Sequence, residues 1–539
     1  MKKILSLILV AIMLISVSLT TLTSCDDIFN SIFGSKEPMV DPIDDNYRTF
    51  YQIFVGTFAD ANGDGYGDIR GIIDNFDYLN DGDINSGNDL GVQGIWLSPI
   101  FTSPSYHKYD AKDYYKLDWR FGEEKDLVEL LNLCHSRNVK LILDLAINHT
   151  SDQHEWFQQF QEARMNGDTT NKYYDYYSCA TTAGKENGKT YQKIALVDCW
   201  YECNFSGGMP ELNFDNPEVR EEVLKIAKYY LDLGIDGFRF DAVKYVYYGD
   251  NNKSAAFWEW YMKELRAYKP DIYAVGECWS GDNEVIKYYN AFNCFNFTTA
   301  GGANKIANTA KGIESVYSYA AYLENYQNMI EAKNPDAMVS LFLSNHDQDR
   351  IAGAFINENM TKMAANLYLL APGSPVIYYG EELGMKGSRK SSELTDANRR
   401  LAMLWGNDYT PRNPVGSTYP QDKQIQTTVA DQLKDKNSMY NHYSKLIAIR
   451  HKYPAIARGN YIAISCGNNK LGGFLVEYNG EYLVIIHNTS SGELTYDLSR
   501  STALANKGIS ELCDSIGLGK GSMNGNIISV PAYTTVILK

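Results

Sequence analysis

Four acidic residues in this 539-residue chain follow short apolar runs, and their neighbours suit them to chemistry. Asp241 closes the run GFRFD, with Arg239 two positions earlier. In a strand, residues i and i+2 face the same side, so the guanidinium can lie beside the carboxylate and keep it charged. A charged, oriented carboxylate is what a covalent nucleophile requires. Glu277 follows YAVG and precedes Cys278 and Trp279. That apolar approach suits a raised pKa and therefore a proton donor. Asp347 stands in FLSNHDQDR beside His346, and Asp144 follows the apolar run LIL. Two carboxylates that flank a glycosidic oxygen perform glycoside hydrolysis, and neighbouring strand ends suit the short separation of a retaining pair, about 5–5.5 Å.

These acids need a scaffold that brings strand ends together. Eight strand candidates run through the chain: Tyr51 to Phe58, Gly94 to Ser98, Val139 to Leu145, Asp236 to Asp241, Ile272 to Gly276, Phe292 to Phe297, Met338 to Leu343 and Pro375 to Tyr378. Several are continuously apolar, as parallel strands buried on both faces must be. Helical patterns lie between them, at Glu123 to Asn138, Pro217 to Leu233 and Phe257 to Tyr268. Pro217 opens one helix and Gly234 stops it. This alternation predicts an α/β fold, a (β/α)₈ TIM barrel, whose active-site rim is formed by the C-terminal strand ends. His149 to Pro210 is too long for an ordinary connection and reads as an inserted subdomain after the third strand. From Ala455 the chain changes to short alternating segments, which predict a C-terminal antiparallel β-sandwich. The expected division is 1–24 signal, 25–46 tether, 47–149 and 211–454 catalytic barrel, 150–210 insertion and 455–539 C-terminal β domain.

Acids outnumber bases 66 to 50, a net charge of −16, which argues against a nucleic-acid partner. Forty-one tyrosines, 21 phenylalanines and 8 tryptophans suit a neutral polar ligand with flat apolar faces, sugars above all. Lys2 and Lys3 followed by an apolar stretch from Ile4 read as a secretory signal. Cys25, after Leu22, Thr23 and Ser24, resembles the lipidated cysteine of a bacterial lipobox. The expectation is an exported protein held at the outer membrane face by a lipid anchor only. Export permits disulfides, and Cys179, Cys199 and Cys203 share the insertion.

The ordered motifs resemble those of the alpha-amylase family of retaining glycosidases, glycoside hydrolase family 13. DLAINH from Asp144, GFRFDAVKY from Gly237, GECW from Gly276 and FLSNHD from Phe342 are similar to its first four signatures. The resemblance implies that Asp241 is the nucleophile, Glu277 the acid and base, and Asp347 the transition-state stabiliser. It implies that Tyr109, His149, Arg239 and His346 surround the sugar at the cleavage point, with Asp396 and Arg400 as a further substrate pair. Lys244 and Tyr245 fall where many members carry Lys-His on the leaving-group side. His107 flanks Tyr106 and Tyr109 and is expected to line a sugar site. MPELN from Met209 resembles a fifth signature, nearest the group between oligo-1,6-glucosidases and neopullulanases.

Two calcium expectations follow. Asp60, Asn62, Asp64, Tyr66 and Asp68 space oxygen ligands as in the start of a calcium loop, with Gly65 at the turn. The resemblance adds the family's usual calcium site beside Asn148, whose second ligand is the carbonyl of the histidine that Tyr245 replaces. The expected activity is endo-acting alpha-amylase hydrolysis of alpha-1,4-glucans, beside importers and other surface starch-degrading proteins. The alternatives are neopullulanase, alpha-glucosidase or 4-alpha-glucanotransferase. A non-catalytic sugar binder would lack one of the three acids, and all three are present.

Overall fold

The computed structural model describes residues 45–390, 394 and 396–539. The signal, Cys25 and nearly all of the tether lie outside them. Eight strands form one parallel sheet: β1 (Phe50–Ile53), β2 (Gly94–Leu97), β3 (Lys140–Leu145), β4 (Gly237–Phe240), β5 (Tyr273–Gly276), β6 (Asn293–Phe295), β7 (Val339–Ser340) and β8 (Val376–Tyr378). Their order is β7-β6-β5-β4-β3-β2-β1-β8. A parallel bridge between Phe342 and Val376 joins the two ends, with the Val376 amide 2.9 Å from the Leu341 carbonyl. The (β/α)₈ barrel read from the sequence is therefore the fold.

Side-chain alternation along each strand explains where the chemistry sits. Trp96, Ile142, Tyr273, Val275 and Phe295 fill the barrel, while Ile95, Leu97, Leu141, Leu143, Phe238 and Phe240 pack outward against helices. Asp144 and Arg239 share the inward phase, so they rise from the apolar plug toward the rim. Gly237 allows β4 and β5 to lie close. A Cβ there would stand 1.9 Å from the Tyr273 carbonyl oxygen.

The helices carry the start and stop signals of the sequence. A capping box of Glu123 and Asp126 opens α1 (Glu124–Ser136). Asn216 caps α2 (Pro217–Leu233), and Gly234 ends it in the left-handed region. Helix α3 (Asn251–Tyr268) starts earlier than the expected Phe257, because Asp250 accepts from the Asn252 and Lys253 amides.

The insertion holds a small antiparallel sheet of Cys179–Ala180, Trp200–Glu202 and Tyr191–Lys193. Phe157, Tyr177 and Tyr201 pack edge to face beneath it, with centroids about 5 Å apart. Bridges from His149 to Glu211 and from Tyr177 to Leu212 seat it on the rim. Among the described residues the cysteines are free, those of the insertion included.

Beyond Arg458 a five-stranded and a three-stranded antiparallel sheet enclose a core of Leu475, Val484, Ile486, Ile528 and Val536. The closing stretch divides at Pro531: Ile527–Val530 joins the smaller sheet and Thr534–Leu538 the larger. Asn366 fixes this sandwich to the barrel by donating to the Ile516 carbonyl and the Thr535 hydroxyl.

The expectation of a signal-bearing, membrane-attached lipoprotein is corrected. Among the described residues no helix is long and apolar enough to cross a membrane.

Candidate active site

Asp241, Glu277 and Asp347 line one open pocket of about 670 Å³, and Asp144 lies buried beneath it. Arg239 is its hub. Its Nη1 donates to Asp144 and to Asp241, each at 2.7 Å, and its Nη2 stands 3.4 Å from Glu277. The guanidinium is fully buried, so these ion pairs are poorly screened by solvent. Asp144 is held from its other side by the Tyr109 hydroxyl at 2.8 Å and the Trp96 indole at 3.2 Å. One guanidinium thus orients two rim carboxylates while a third acid anchors it.

Burial pushes the Glu277 carboxyl up to about 8, against the lowering pull of Arg239 and with the help of Asp241 and Asp347. At neutral pH it holds a proton. The Ala242 amide donates to its Oε2 at 3.0 Å and fixes its direction.

Asp347 is the opposite case. Burial alone would raise its carboxyl, but His346, Arg400 and Arg239 outweigh that and hold it well below the usual carboxylate range. Arg400 donates to its Oδ1 at 2.7 Å, and His346 Nε2 lies 3.0 Å from its Oδ2. Burial lowers the His346 imidazole below its ordinary value. Gln52 donates to its Nδ1 at 2.8 Å, which leaves the ring proton on Nε2, 2.6 Å from the Tyr109 hydroxyl.

The remaining expected residues are all on this rim. His149 Nε2 donates to the Tyr109 carbonyl at 3.1 Å, and its buried Nδ1 has no protein partner. That nitrogen can accept from a sugar hydroxyl. His107 lines the pocket beside Ser105. Lys244 donates to the Trp279 carbonyl at 2.8 Å. Tyr245 lies between Phe205 and Tyr248, with centroids 4.4 and 4.7 Å away.

One expected pairing is loose. Asp396 stands 4.0 Å from Arg400 and is held instead by Arg399 at 2.8 Å. Arg400 spends its guanidinium on Asp347 and on the His346 carbonyl.

A family model described as "Alpha amylase, catalytic domain" matches residues 52–459. The chain belongs to the alpha-amylase family. It is 34% identical to "Alpha-amylase 3" of Dictyoglomus thermophilum over 91% of this chain and 92% of that one. It is 30% identical to a "4-alpha-glucanotransferase" of Thermotoga neapolitana over 83% of this chain and 97% of that one. Among solved structures, "Eubacterium rectale Amy13B" superposes with a TM-score of 0.84 at 33% identity, covering 93% of this chain and 97% of that one.

Aromatic and basic residues beyond the expected set complete the wall of this alpha-amylase-family site, joined by Trp279 of the GECW motif. Phe205 arrives from the insertion and is 44% exposed. Trp279 is 46% exposed, with its ring stacked on Phe297 at 4.7 Å. Arg389 and Arg399 come from the connection after β8, and Gln52 on β1 supports the wall from beneath through His346. Only MPELN, read as a motif at the end of the insertion, hinted that this segment reaches the rim.

The Asp60–Asp68 loop has the donor chemistry of a hard cation site. Asp60 and Asp68 are buried, and burial, with the neighbouring Asp60 charge, raises the Asp68 carboxyl. Backbone amides of Gly63 and Gly65 approach Asp60, and those of Ala61 and Gly71 approach Asp68. Gly65 makes the turn at φ +92°. Among the described residues no three acidic, histidine or cysteine side chains converge on a metal position. Asn62 and the Tyr66 carbonyl would therefore have to complete a shell. Beside the insertion, Asn148 has a buried amide oxygen without a protein partner, and burial pushes the neighbouring Glu211 carboxyl well up. Those donors also fit a hard cation, although Lys189 already places an ammonium 3.2 Å from the adjacent Glu202.

Proposed function

We propose that this protein cleaves alpha-glucosidic bonds of alpha-glucans with retention, and that a sugar hydroxyl competes with water as acceptor. The contact of one buried guanidinium with both Asp241 and Glu277 carries the reading. Asp241 attacks the anomeric carbon while Glu277 gives its proton to the departing oxygen, and the glycosidic bond breaks. The glucosyl unit is then esterified to Asp241. Glu277, now a carboxylate, takes a proton from the incoming hydroxyl, whose oxygen attacks the same carbon and frees Asp241. Asp347, kept anionic by His346, Arg400 and Arg239, faces the positive charge that develops on the ring. His149 Nδ1 and the Tyr109–His346 pair orient the sugar.

The acceptor reading rests on the leaving side of the pocket. Phe205, Tyr245 and Trp279 offer aromatic faces there, and a wall that holds the departing sugar also holds a sugar acceptor. This favours the oligosaccharide-level activities, glucanotransferase, alpha-glucosidase or neopullulanase, over a strictly hydrolytic endo-amylase. Calcium in the Asp60–Asp68 loop would be structural, tying the segment after β1 to the rim. A product time course from maltotriose, soluble starch and pullulan tests the reading. Products longer than the maltotriose supplied are the expected result. Glucose and maltose alone from maltotriose would reject the sugar-acceptor reading, and no products from any of the three would reject the alpha-glucan substrate.

A further inference from the structure

The inserted subdomain carries a lobe, residues 180–198, with a cysteine at each end of its neck. We infer that Cys179 and Cys199 are a reversible redox pair, which a low-molecular-weight disulfide oxidises to a bond that locks the lobe. The inference stands apart from the alpha-glucan reading and does not depend on it.

Strand register brings the two sulfurs together. Cys179 pairs with Tyr201, and Ala180 with Trp200, across antiparallel strands. Side chains alternate along a strand, so Cys199 and Cys203 are the two diagonal neighbours of Cys179 on one face. The thiols of Cys179 and Cys199 are hydrogen-bonded to each other. Cys203 takes the other diagonal, toward Glu211 and Glu202.

Their surroundings give the two thiols different roles. Cys179 is half-buried and reachable from solvent, whereas Cys199 is buried. Arg164 stands near both, held by Asp175 at 2.5 Å and stacked over the Tyr174 ring at 3.9 Å. The hydrogen bond from Cys199 and the Arg164 charge hold the Cys179 thiol down at about 7, against burial. Donating that bond, together with burial, pushes the Cys199 thiol up. Cys179 is therefore the attacking thiolate and Cys199 the resolving thiol.

The exchange has two steps. The Cys179 sulfur attacks one sulfur of the reagent disulfide, whose S–S bond breaks and releases one thiolate. The Cys199 sulfur, giving up its proton, then attacks the Cys179 sulfur and expels the second thiolate. Two protein thiols are oxidised to one disulfide. The reagent is reduced to two thiols, which take up the two protons.

The lobe is built so that such a bond matters. Of residues 180–198 only Ile194 is buried. Surface contacts hold the rest: the Thr182 amide donates to Asp198 at 3.0 Å, the Lys185 ammonium lies 3.8 Å from the Trp200 ring, and Lys189 lies 3.2 Å from Glu202. A segment with so little buried surface opens locally at low cost. A covalent closure of its neck restricts the opened chain.

The test treats the full-length protein with oxidised glutathione, alkylates the remaining thiols, and maps the peptides by mass spectrometry without reduction. The expected result is a peptide pair linked through Cys179 and Cys199, released by dithiothreitol. Tryptic cleavage after Lys185, Lys189 and Lys193 should be several-fold slower in the linked protein than in the reduced one. In Cys199→Ser the glutathione should remain on Cys179, because the resolving thiol is gone. Alkylation of both Cys179 and Cys199 after the oxidant, or a link that runs to Cys203 instead, overturns the pair. Equal tryptic rates in the linked and reduced wild type overturn the lock.

Discussion

Arg400 donates to Asp347 across 2.7 Å, from a position 53 residues further along the chain. With His346 and Arg239, this contact holds the acid well below the usual carboxylate range. Replacing Arg400 by Ala removes the cation and leaves burial to act on Asp347 unopposed from that side. We expect kcat/KM to fall about 100-fold, the usual cost of one preorganised electrostatic group. The acid limb of the pH profile should also move up. A fall with an unmoved acid limb would reduce Arg400 to a packing role.

Glu277 must enter the reaction protonated. Activity should therefore decline as pH rises through its pKa near 8. In Glu277→Gln that basic limb should vanish and turnover of unactivated glucans should drop by about 10²–10⁴-fold. Substrates with good leaving groups need no proton and should keep much of their first step. A basic limb that survives the substitution would assign it to another group.

Glu381, which does not line the catalytic pocket, offers a stability test. It is buried, and the hydroxyls of Tyr368 and Tyr443 donate to it at 2.8 and 3.0 Å. Burial raises its carboxyl from the ordinary value of 4.5 to about 8. The folded state therefore holds a proton that the unfolded state releases. The resulting stability is full below the unfolded value and is lost as pH rises through the folded one. The melting temperature of the wild type minus that of Glu381→Gln should fall between pH 5 and pH 9. A difference that stays constant would show that Glu381 is ionised throughout.

Calcium, if held by the Asp60–Asp68 loop, binds only the native state. At 100 times its Kd it should add about 2.7 kcal/mol of stability. EDTA should lower the melting temperature of the wild type, and Asp60→Asn should abolish that response. Equal melting curves with and without EDTA, and no calcium by elemental analysis, would remove the site.

The barrel was legible because parallel strands are buried on both faces and read as continuous apolar runs. All eight were found, with ends displaced by one to a few residues. The helix after Asp250 was read six residues late, since its first turns are polar and its start depends on a cap. Strands Leu494–Asp497, Leu512–Gly517 and Ser522–Asn524 were missed because they are short and lack a clean apolar alternation. In the site, the acids were legible from their place at strand ends. Their partners were not. Gln52 reaches His346 across 294 residues, and Phe205 reaches Tyr245 only because the insertion folds back over the rim. Such contacts follow from closure of the barrel and leave no local pattern.

The central claim is a covalent bond from Asp241 to carbon 1 of a glucosyl unit. Incubation with 5-fluoro-alpha-glucosyl fluoride, followed by proteolysis and mass spectrometry, tests it directly. The account predicts a single fluoroglucosyl adduct on the peptide carrying Asp241, absent from Asp241→Asn. Turnover of the reagent with no adduct, or an adduct on a peptide carrying a different acid, would contradict it.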